Sequence, residues 1–176
     1  MNTAALQPAD ASMTRVRKDQ PLVPSVLDRL IDEQPEQQRE AAKGRGQLLT
    51  DVRNSIRRDL ENLLNTRFRC LSWPDDLTEL EQSLASYGIP DVAGANLASE
   101  SGRRQFLKIV EQTIRNFEPR FKSVRVEFLD NADELDRTMR FRIDAMMYAY
   151  PAPEPIVFDT AMEPATGEFS VAGGER

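Results

Sequence analysis

QTIRNFEPRFKSVRVEFLD, Gln112 to Asp130, changes its hydrophobic period halfway along. Up to Phe117 the apolar residues recur every three or four positions, with Phe106, Leu107, Val110, Ile114 and Phe117 forming one stripe of a helix that starts at about Gly102. From Val124 the period is two: Val124, Val126 and Phe128 alternate with Arg125, Glu127 and Leu129. Between the two rhythms stand Glu118, Pro119 and Arg120. Proline ends the helix, because the residue before it is pushed toward extended geometry. The two flanking charges add nothing to that task. An acid in the last helical turn also faces the negative end of the helix dipole, which costs about 0.3–1 kcal/mol. Two readings of Glu118 and Arg120 follow: a solvated helix end, or a site whose charges Pro119 splays in different directions, with Glu118 paired to an arginine of its own fold or of a partner.

Outward from this seam the chain divides into helices before and strands after. Upstream, QLLTDVRNSIRRDLENLLNTR (47–67) carries Leu49, Val52, Ile56, Leu60, Leu63 and Leu64 on one face, an amphipathic helix of about five turns. Arg53 and Arg57 form a like-charge pair on it, either a wet face or one compensated by an acidic partner. PSVLDRLID (24–32) predicts a short helix capped by Ser25, with Val26, Leu27, Leu30 and Ile31 as its apolar stripe. Pro35, Gly44 and Gly46 interrupt the connector between these two helices. Trp73-Pro74 breaks the chain, Asp75 or Asp76 caps a helix from about Leu77 to Ser86, Gly88 supplies a left-handed stop, and Pro90 prevents resumption. Downstream, Met139, Phe141, Ile143 and Ala145 alternate with Arg140, Arg142 and Asp144 after the turn-like DNADELD (130–136), and IVFDT and GEFSV flank the turn MEPAT as a second hairpin. The expected fold class is α+β, N-terminal helices packed on a C-terminal antiparallel β-sheet. Residues 1–23 read as a mobile arm, 24–172 as one domain and 173–176 as a tail.

Composition narrows the chemistry. The 176 residues hold one cysteine and no histidine, which removes an internal disulfide, most zinc geometries and the common Ser-His and Cys-His nucleophiles. A net charge of -6 speaks against a nucleic-acid footprint. No apolar run approaches the ~20 residues of a membrane span, and no secretory h-region opens the chain. No glycine loop has phosphate-cradling spacing, which speaks against nucleotide chemistry; no cofactor, metal or small-molecule substrate is expected. Arginine outnumbers lysine 19 to 4, as bidentate pairing at protein interfaces or a coding bias would each produce. One enzymatic device remains, a carboxylate pair such as Glu118 with Asp130 or Glu127, separated by ~5–10 Å as in glycoside hydrolysis; with 29 acids in the chain, chance pairs are plentiful.

PSVLDRLID, RRDLENLLNTR, SLASYGIPD and NFEPRF, in that order, resemble the TssE family of type VI secretion baseplate wedge subunits, itself similar to the phage tail baseplate family once called lysozyme-like. The resemblance runs from about Pro24 to Val171. It implies a non-enzymatic structural part of a contractile injection machine, in the cytoplasm beneath the inner membrane, that joins other baseplate wedge subunits and meets the first ring of contractile sheath subunits. It further implies that Glu118, Pro119 and Arg120 bind partners during baseplate assembly and sheath initiation. A free edge of the sheet would let a sheath strand add by backbone hydrogen bonds. On that reading Glu118→Ala or Arg120→Ala leaves the fold nearly intact yet blocks sheath assembly. The competing readings are a peptidoglycan hydrolase with Glu118 as its acid, and a cytoplasmic adaptor of unrelated machinery.

Overall fold

Two amphipathic helices roof one face of a four-stranded sheet, and each follows from its apolar stripe. A computed structural model of the protein describes residues 26–30, 44–68, 76–77, 79–80, 83–91, 97, 99–129 and 138–174. Helix α2, Arg45–Asn65, buries Val52, Ile56, Leu60, Leu63 and Leu64, the expected face. Gly44 is its N-cap, Gln47 Oε1 accepts the Gly44 N–H, and Gly46 lies inside the first turn instead of interrupting it. Helix α3, Glu100–Phe117, begins two residues earlier than its stripe suggests, because the Ser99 hydroxyl caps the Gly102 N–H. It buries Phe106, Val110, Thr113 and Ile114 and stops at Pro119 as expected.

The strands are β1 (Phe121–Leu129), β2 (Met139–Met147), β3 (Glu154–Glu163) and β4 (Glu168–Gly173), an antiparallel meander in the order β1-β2-β3-β4. Their inward residues include Val124, Val126, Phe141, Ile143, Ile156, Phe158, Phe169 and Val171, all buried under the helices. At the centre, Phe106 of α3 meets Phe141 and Phe169 with ring centroids 6.1 and 6.3 Å away. The register breaks between Phe121 and Ser123, a bulge at the start of β1 that no sequence signal announced.

Helix α1 is only Val26–Leu30, and its leucines do not behave as a core stripe: Leu27 is 57% exposed and Leu30 76%. What holds it is polar, through Asp28. In place of the helix expected over 77–86, the described residues show a 3-10 turn, Leu84–Ser86. The N-terminal arm, Ser25, Ile31, the connector through 43, the DNADELD turn and Asp130 all lie outside the described residues.

One core group is mismatched. Thr160 is 2% exposed, and its hydroxyl has no hydrogen-bond partner. Thr160→Val replaces that hydroxyl by a methyl of similar size, and we expect it to stabilise the fold by about 1 kcal/mol. A urea midpoint that does not rise would mean that the hydroxyl is already satisfied.

Candidate functional site

The seam between α3 and β1 folds into a closed ionic corner. Pro119 stops α3, and the chain turns at once: the Glu118 N–H still donates to Ile114 O (2.8 Å), while the Phe121 N–H donates to Glu118 O (3.2 Å). The turn brings the Arg120 side chain back over Glu118. Arg120 Nε donates to Glu118 Oε1 (2.6 Å) and its Nη2 to Glu118 Oε2, a bidentate fork, while the Arg120 N–H adds a bond to the same Oε1 (3.1 Å). Glu118 is 4% exposed. The expectation that Pro119 splays the two charges apart is therefore not met. With the helix ending at Phe117 and the strand beginning at Phe121, the two side chains fall on the same inner side of the corner.

Helix α2 supplies the rest. Arg120 Nη2 also donates to Asp59 Oδ2 (2.6 Å), and Nη1 to Ser55 Oγ (3.3 Å). Ser55 in turn donates to Asp28 Oδ2 (2.7 Å), and Asp28 Oδ1 accepts from Arg58 (2.5 Å). Asp28, Arg58, Asp59, Arg120 and Glu118 thus form one chain of alternating charge that ties α1 to α2 and α2 to the corner. The Tyr148 N–H anchors the Arg120 carbonyl from the end of β2 (2.9 Å). Burial alone would lower the Arg120 pKa, but hydrogen bonds and charge from Glu118 and Asp59 outweigh it and raise the guanidinium above its ordinary value. Arg58 is raised through its bond to Asp28. Tyr87, from SLASYGIPD, stands beside the corner: burial and then the negative charge of Asp59 and Glu118 push its phenol up. Its ring meets Phe117 edge-on, with centroids 5.3 Å apart.

Of the residues expected to form the site, Glu118 and Arg120 come together, and Pro119 is the exposed apex between them. Sequence reading missed Asp28, Ser55, Asp59 and Tyr87. Ser55 did carry a signal, a polar residue next to Ile56 on the buried side of α2. The expectation that alanine at 118 or 120 leaves the fold nearly intact is corrected, because either change strips a partner from a buried ion pair. As to the carboxylate pairs, both oxygens of Glu118 are held by Arg120, whereas Glu127 is exposed on the opposite face of the sheet and pairs with Arg125 (2.7 Å). Among the described residues no group of three or more acidic or cysteine side chains is arranged to hold a metal ion, and no helix is long and apolar enough to cross a membrane.

The sheet edges are also occupied. Along β4, the Asn65 amide donates to Phe169 O and accepts from the Phe169 N–H (2.8 Å each), Glu61 accepts from the Val171 N–H (3.4 Å), and Arg57 donates to Val171 O (3.3 Å). Arg67 reaches Gly167 O and stacks on the Phe169 ring. The Arg53/Arg57 pair needs no acidic partner from outside: Arg57 pairs with Glu61 (3.3 Å), and Arg53 donates to Pro155 O (3.4 Å). Along β1, Arg115 donates to Val124 O (3.2 Å) and Glu111 accepts from the Val126 N–H (3.3 Å). An incoming strand would therefore meet side chains of α2 at β4 and side chains of α3 at β1.

A family model described as "Baseplate wedge protein gp25" matches residues 50–152, more than half of the chain, from the second turn of α2 to the β2–β3 connection. A search of curated proteins finds no match. Among solved structures, a chain of "The baseplate complex from the type VI secretion system" is similar over 65% of this chain and 96% of that chain, at 18% identity and a TM-score of 0.44.

Proposed function

We propose, on the premise that this chain belongs to the baseplate wedge protein gp25 family, that it is a non-enzymatic structural subunit of a type VI secretion baseplate. In this reading it works in the cytoplasm at the inner membrane, joins the other wedge subunits and starts sheath polymerisation by docking, without nucleic acid, membrane insertion or a small-molecule substrate. The observation that carries the reading is the closed state of the ionic corner. A glycosidic general acid must offer a proton from a carboxyl group, but both Glu118 oxygens are committed to a guanidinium that is always charged. The same closure suits docking. It holds Pro119 as a rigid, exposed apex, with Arg120 and Asp59 part-exposed beside it to meet a partner's polar groups. Glu118 then acts from beneath, as the residue that positions Arg120. Sheath strand addition would take place at β1, where the Glu111–Arg115 pair over the edge is open to solvent on one side.

Pro119→Asp tests the docking role, because it alters the apex while sparing the ion pair. We expect stability to change by no more than about 1 kcal/mol, and both co-purification of the other wedge proteins and formation of extended sheaths in cells to be lost. Sheaths at normal frequency with this variant would remove the corner from the interface. Wall-cleaving activity in a zymogram, abolished by Glu118→Gln, would overturn the non-enzymatic reading.

A further inference from the structure

We propose that the Glu111–Arg115 ion pair is a latch over the edge of β1, and that it prevents a second copy of this chain from pairing there. The pair is a single turn of α3, i to i+4, closed at 2.7 Å. It also holds two main-chain groups of the edge strand, Val124 O and the Val126 N–H. An edge strand with such groups open is a template for another strand, and charged side chains placed over it are a known way to blunt it.

The exposed strand is self-complementary. Val124, Arg125, Val126, Glu127 and Phe128 alternate apolar and charged residues identically from either end, with the sign of the charge reversed. Set antiparallel to a second copy about Val126, the strand puts Val126 opposite Val126, Arg125 opposite Glu127, and Val124 opposite Phe128. The register within the sheet fits this arrangement. Arg125 and Glu127 face Asp144 and Arg142 of β2, and the backbone of Val126 alternates to the outer side, where Glu111 now receives its N–H. Opening the latch would let the two Val126 residues exchange bonds and the two Arg125–Glu127 pairs form across the seam, joining two sheets into one. The latch itself is part-exposed, Arg115 at 53% and Glu111 at 28%, so solvent screens it in part and a strand bringing a full ladder can displace it. The β4 edge, bonded by Asn65 on both main-chain groups of Phe169, offers no such entry.

Sedimentation velocity of the full chain over a range of concentrations tests it. The native chain is expected to be monomeric, and Glu111→Ala with Arg115→Ala to self-associate at least about tenfold more tightly. Adding Arg125→Glu should return this variant to monomer by setting Glu opposite Glu127 of the other copy, and Glu127→Arg on top of it should restore association. A latch variant as monomeric as the native chain, association indifferent to Arg125→Glu, or a native chain already dimeric through β1 each overturns the proposal. A reading that needs no variant is the Val126 amide in the dilute native protein. It should exchange slowly, as a bonded amide does, and exchange at the rate of an open edge amide removes the latch.

Discussion

Arg120→Ala is expected to lower the free energy of unfolding by about 3–5 kcal/mol, the scale for removing one partner of a buried ion pair. Arg120 makes the fork to Glu118, the bond to Asp59 and the contact with Ser55. Its loss leaves the Glu118 carboxylate, 4% exposed, with the Arg120 N–H as its remaining donor at the corner. The part of the loss that comes from Asp59 is small, because that carboxylate is 35% exposed and can be rehydrated. Glu118→Ala should cost less, about 1–3 kcal/mol, since Arg120 keeps Asp59 and has some access to water. The double variant should fall short of the sum of the two, because the second change removes the charge that the first left stranded. Urea unfolding of the three variants decides the matter. A loss below about 1 kcal/mol for Arg120→Ala would show that the corner is solvated. The practical consequence is for assembly assays: sheaths missing in an Arg120→Ala strain report on folding as much as on docking, which is why the apex at Pro119 is the better probe.

The seam was legible because helix and strand write different periods into the chain, and Pro119 separates them. The stripe of α2 and the alternation of β1 and β2 were legible for the same reason. What the corner does with its charges was not. A period says which side of a helix a residue occupies, but Glu118, Asp59 and Asp28 meet from three elements, and no spacing connects them. The meander order and the sealed edges were hidden for a related reason. Asn65 and Phe169 are 104 residues apart in the chain, and an Asn on the polar flank of a helix looks alike whether it meets water or a strand. Helix α1 misled in the opposite direction. Its leucines have core spacing, yet five residues are too few to bury a stripe once Asp28 has fixed which side faces α2.

Gly88→Ala is the second large effect, expected at about 2–4 kcal/mol, and Gly167→Ala supplies its internal scale. Both glycines have positive φ, 110° at Gly88 and 70° at Gly167, so each substitution carries the cost of a conformation that L-residues avoid, about 1–2 kcal/mol. They differ in the space around them. A Cβ at Gly167 would meet the Arg67 side chain at 3.4 Å, an ordinary contact. At Gly88 it would stand 2.4 Å from the Thr66 carbonyl oxygen, which cannot move freely because it accepts the Ile89 N–H (3.0 Å). The backbone must shift, and it is the backbone that carries Tyr87 to its place beside Asp59 and Glu118. Gly88→Ala should therefore also disturb the corner. The Tyr87 phenol, held above its ordinary value of about 10, should titrate closer to that value, whereas Gly167→Ala should leave it unchanged. If the two alanine variants unfold at the same urea concentration, the close approach of residues 66 and 88 contributes nothing, and the short parallel bridge between Arg67 and Ile89 is not what sets Tyr87 against the ion pair.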